Sequence, residues 1–146
     1  MRQPYRVFSL LAIVFLLAAC GEQTPQTVSF DKYDAQDVLG GLKDAGLSIL
    51  NERRDMQVPP GVPATFNARY LFEIERIAPA GGQLLTFNSA DNMQSWQRYV
   101  EGQRASSSTR RDFVYVYTRD NALLVLSPAL TTDEAAAYRT AFERLP

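Results

Sequence analysis

The chain has 146 residues with 15 basic and 16 acidic side chains, no histidine and a single cysteine. That length suits one domain and is short for two, and a slightly acidic chain offers a polyanion nothing, so nucleic acid is not an expected partner. Without histidine the commonest general base at neutral pH and the commonest metal ligand are both missing, and a lone cysteine cannot close an internal disulfide.

Met1 to Arg6 carries Arg2 and Arg6, Val7 to Leu17 is almost wholly apolar, and Ala18 and Ala19 are small. This is the layout of an export signal. A membrane-spanning helix needs roughly 20 apolar residues, and this run is much shorter before Gly21-Glu22-Gln23 interrupts it. Leu17-Ala18-Ala19-Cys20 resembles the lipobox of bacterial lipoproteins. The resemblance implies that Cys20 becomes the mature N-terminus, acylated on sulfur, and that the lipid holds the protein on the extracytoplasmic face of the cell membrane or outer membrane. A secretory signal that happens to contain a cysteine, or a buried core thiol, is the competing reading. Residues 1–19 thus read as a signal peptide, 20–29 as lipidated cysteine and polar tether, and 30–146 as one domain.

Within the domain, Tyr33 to Leu47 has helical periodicity: Asp34 and Asp37 are placed as a capping box, Tyr33 and Val38 as a hydrophobic staple, and Gly46 as a left-handed terminus. The pair Gly40-Gly41 lies inside that helix, with no strand before it and no Lys-Ser/Thr after it, so it reads as close packing on a sheet and not as a phosphate loop. Ser48 to Arg53 suits a short strand, and Met56 to Thr65 is a proline-rich loop. Between Ala68 and Ala78 the residues Tyr70, Phe72 and Ile74 alternate as in a strand, although Phe66, Tyr70, Ile74 and Ile77 also fit a helical stripe. The strand is preferred, because Pro79-Ala80-Gly81-Gly82 and the apolar run from Gln83 to Phe87 complete a hairpin. Ser89 then caps a helix that buries Met93, Trp96 and Val100 and exits at Gly102. Gln103 to Arg111 is a polar loop. Phe113 to Ser127 reads as a hairpin turning at Asp120-Asn121, which opposes Tyr117 to Leu124, Tyr115 to Leu126 and Val116 to Val125. A last helix opens on a Thr131/Glu134 capping box and buries Tyr138, Ala141, Phe142 and Leu145. The fold expected is α+β, a two-layer sandwich of about five mainly antiparallel strands with about three helices. Asn121 to Leu145, with the helix end Ala45-Gly46-Leu47, is similar to small bacterial lipoproteins, a resemblance that brings no site residues with it.

Candidate chemistry is sparse. Glu73 and Glu75 stand two apart on an expected strand, about 7 Å between Cα atoms, and paired carboxylates can divide acid and base roles in a small hydrolase; a solvated strand face beside Arg69 and Arg76 is the plainer reading. Phe113, Tyr115 and Tyr117 alternate on one strand and form a candidate binding surface, unless a helix covers them as core. Arg104, Arg110 and Arg111 flank the serine loop and suit either anionic head groups or water. There is no Ser-x-x-Lys pattern and no Asp-rich calcium loop. The expectation is a membrane-tethered, non-catalytic binding or accessory module without metal or cofactor, with the carboxylate hydrolase as the alternative.

Overall fold

The computed structural model describes residues 30–106, 108 and 110–146; the expected signal, Cys20 and the tether lie outside the described residues. Helix α1, Ala35–Asp44, begins where the Asp34 carboxylate accepts from the Gln36 backbone N–H at 2.8 Å, one residue earlier than the Asp37 of a capping box. Val38, Leu39 and Leu42 recur at helical spacing and are buried, with Tyr33 packed in the same cluster. Gly46 ends the helix at φ 81°, so that its N–H reaches the Lys43 carbonyl and the Leu47 N–H reaches Leu42. Only a residue free of Cβ strain closes the last turn this way cheaply.

Five strands, β1 Leu50–Arg54, β2 Ala68–Glu73, β3 Gly81–Thr86, β4 Tyr115–Arg119 and β5 Ala122–Leu126, form one antiparallel sheet in the order β1-β2-β3-β5-β4. With α1, α2 (Ala90–Ala105) and α3 (Thr132–Glu143) they make the α+β fold expected from the sequence. The β4–β5 register is the one the two-residue turn requires: Tyr115 opposes Leu126, Val116 opposes Val125 and Tyr117 opposes Leu124. Of the turn residues, Asp120 alone takes a positive φ, 45°. At the other edge, β1 carries an extra residue between Leu50 and Arg53, a bulge marked by Asn51 at φ 48°.

The helices are shared between both faces of the sheet, which corrects the two-layer arrangement. α1 and α3 cover Phe72, Leu84, Ala122, Leu124 and Leu126, while Trp96, Met93 and Val100 of α2 cover Leu85, Leu123 and Val125. β5 dictates this: all five of its residues are apolar and buried, and a strand apolar on both sides needs cover on both sides. α2 also continues past Gly102 to Ala105, so that glycine is interior and not an exit. On the α2 side a ladder of edge-on rings runs Phe66–Trp96–Tyr99–Phe113, with centroids 6.2, 5.5 and 5.8 Å apart.

Candidate functional site

β2 stops at Glu73, and Glu75 opens a 3-10 turn, Glu75–Ile77, closed by the Ile77 N–H on the Ile74 carbonyl at 2.9 Å. The two carboxylates therefore do not share one strand face. Glu73 accepts from Asn51 Nδ2 at 2.8 Å and lines a shallow hollow of about 220 Å³ with Arg53 and Pro79. Glu75 is exposed, its backbone N–H taken by Ser48 Oγ at 2.9 Å, and it does not line that hollow.

The aromatic trio is also divided. Phe113 belongs to a 3-10 turn, Arg110–Phe113, and packs with α2 against Tyr99, whereas Tyr115 and Tyr117 pack on the opposite face against the α1/α3 cluster. The single-face expectation fails because the strand begins two residues later than Phe113. Tyr115 donates from its hydroxyl to the Leu130 carbonyl at 3.3 Å, and the Arg139 guanidinium lies 5.9 Å from the Tyr117 ring centre. Burial raises the Tyr117 phenol above its ordinary pKa. Both tyrosines are thus half-buried supports of the fold. Arg104 donates to the carbonyls of Phe113 (2.7 Å) and Val114 (3.3 Å), fastening the end of α2 to the start of β4; Arg111 is exposed.

A groove of about 710 Å³ lies between α1 and α3. The two helices run antiparallel: Tyr138 donates to the Ser48 carbonyl beyond the end of α1 (2.7 Å), and Tyr33 before its start donates to the Pro146 carbonyl (3.0 Å). Gly41 and Leu145 meet so closely that a Cβ on Gly41 would overlap Leu145 Cδ2, whereas Gly40 faces open space. The tight glycine is therefore explained by helix α1 against the segment after α3, and not by packing on the sheet. Asp44 and Asp133 stand at one end of the groove and Arg144 at the other, with Ala136, Ala137 and Thr140 along its wall. Sequence reading identified the buried stripe of α3 and passed over this second, outward stripe of small residues. Its signal was available as the spacing Ala136, Ala137, Thr140.

The start of α3 is fixed by charge. The Glu134 carboxylate accepts from the Thr131 N–H and hydroxyl, each at 2.8 Å, and from the Arg76 guanidinium, while Arg76 also reaches the Ala129 carbonyl at 3.2 Å. Arg76, and after it Thr131, hold Glu134 well below the usual carboxylate range, at about 2. Among the described residues no three His, Cys, Asp or Glu side chains gather in a way that would hold a metal ion, and no helix is long and apolar enough to cross a membrane. No protein-family model, curated protein or solved structure matches the chain.

Proposed function

We propose that the chain is a lipoprotein, cleaved before Cys20, acylated there, and held on the extracytoplasmic face of a cell membrane or outer membrane, where its α+β domain works by contact and not by catalysis. The observation that carries this reading is the sequence of the first 20 residues: basic start, apolar run, Leu17-Ala18-Ala19-Cys20. An apolar run too short to anchor by itself makes the lipid the anchor, and two acyl chains hold far more stably than one because each buried methylene adds ~0.8 kcal/mol. Support for contact over catalysis comes from the lack of any histidine, from the commitment of the one thiol to lipid, and from the separation of Glu73 and Glu75. The α1/α3 groove, apolar in its middle and charged at its ends, is the surface best suited to a partner.

The test is metabolic labelling with a fatty-acid analogue. Wild-type protein is expected to take the label and fractionate with membranes, and Cys20→Ser to lose both the label and the processing step. Unchanged labelling of Cys20→Ser would overturn the anchor.

A further inference from the structure

We propose that the α1/α3 groove is an interface between two copies of this chain, which lay their α3 helices together antiparallel about a two-fold axis. The inference rests on the reading of the domain as a contact module and names its partner, but it does not require the lipid. On α3 the exposed residues Asp133, Ala136, Ala137, Thr140 and, at the C-cap, Arg144 fall at i, i+3, i+4, i+7 and i+11, a single stripe along the helix. Turned end for end on itself, that stripe is self-complementary. Asp133 of each copy meets Arg144 of the other, and Ala137 meets Thr140.

Among the described residues neither Asp133 nor Arg144 has an ion-pair partner, while the neighbouring Arg139 and Glu143 on the same helix already pair with each other at 2.7 Å. The charges left unmatched are thus the ones the second copy would match. Asp44 stands at the Asp133 end of the groove and adds a second carboxylate to the end that receives the partner's arginine. Parallel docking would instead set Asp133 on Asp133 and Arg144 on Arg144, and like charges across an interface disfavour it. In the middle, alanines and a threonine let two helix backbones approach toward the near end of the usual ~8–10 Å separation. A 12-residue helix is only ~18 Å long, so the contact is small and the association weak, in the micromolar range or above.

Sedimentation equilibrium on the full chain in excess detergent micelles tests this. Wild type is expected to show a reversible monomer–dimer equilibrium. Asp133→Arg and Arg144→Asp, each alone, set like charges at both ends of the pair and should weaken the dimer roughly tenfold or more. The double variant D133R/R144D should bind more tightly than either single variant, because the swapped stripe is again self-complementary, yet fall short of wild type because Asp44 then faces the partner's new carboxylate. Ala137→Trp, at an exposed position, should abolish the dimer by holding the helices apart. A wild type that stays monomeric, a dimer indifferent to these changes, or a double variant no tighter than the single variants would overturn the proposal. The fatty-acid label on Cys20 is read separately, so a failed dimer and a failed anchor give different results.

Discussion

The Asn121 side chain is buried and meets three backbone groups: its Oδ1 accepts from the Tyr33 N–H at 2.8 Å, and its Nδ2 donates to the carbonyls of Tyr33 (3.0 Å) and Phe87 (3.3 Å). A turn residue chosen for its backbone thus also joins the entry of α1 to the end of β3. Asn121→Ala leaves those groups without partners, and an unsatisfied buried polar group costs ~1–3 kcal/mol; a loss of about 2–4 kcal/mol in urea-unfolding stability is expected. Asn121→Asp keeps the acceptor and loses the donors, so its deficit should shrink at acid pH, where the carboxyl is protonated and can donate again. Glu134 has the opposite dependence. Its folded-state pKa is depressed to about 2, so its contribution is complete above the ordinary glutamate range of ~4.3 and is lost as pH falls from there toward 2. Wild-type stability should therefore fall more steeply than that of Glu134→Gln across that window, an effect that salt weakens because the pair is solvent-accessible. Urea midpoints measured at several pH values check it.

At the scale of elements, what was legible in the sequence depended on how many local signals agreed. The β4–β5 hairpin had alternation on both strands and a two-residue turn, and those together leave one register. Where one signal stood alone it misled. Gly102 suggested a helix end, but a glycine inside a helix costs only ~1 kcal/mol relative to alanine, and Val100 with the Arg104 bonds to the Phe113 and Val114 carbonyls just before β4 holds α2 through Ala105. Alternation across Glu73, Ile74 and Glu75 suggested a continuing strand, but Ser48 captures the Glu75 N–H and the chain curls into a 3-10 turn. The glycines divide in the same way. Gly40→Ala, in open space on α1, should raise stability by ~0.5–1 kcal/mol from helix propensity. Gly81→Ala should lower it by ~2 kcal/mol or more, because the new Cβ runs into the Phe72 carbonyl and the Glu73 Cα of β2, backbone that cannot swing away. Thermal melts of the two variants should move in opposite directions.

For the whole molecule, the class of fold was readable because hairpins and amphipathic helices alternate along the chain. The number of layers was not, because it depends on where a strand sits in the sheet and not on its pattern alone. Ala122-Leu123-Leu124-Val125-Leu126 is an unbroken apolar run, the mark of a strand covered on both faces, but the same run also suits one half of a hairpin. The candidate site was less legible still: the α1/α3 groove exists because Leu145 folds back onto Gly41, a contact between positions about a hundred residues apart that no local pattern announces. The fastening at Tyr33 has a mechanical consequence. A pull arriving along the chain from its N-terminal side passes the Lys32–Asp120 ion pair (3.1 Å) and reaches Tyr33, whose N–H, carbonyl and hydroxyl are held by Asn121 and Pro146. Such a load must strain three hydrogen bonds together before α1 can peel away, and it passes directly into the β4–β5 hairpin, so the domain is latched at its entrance.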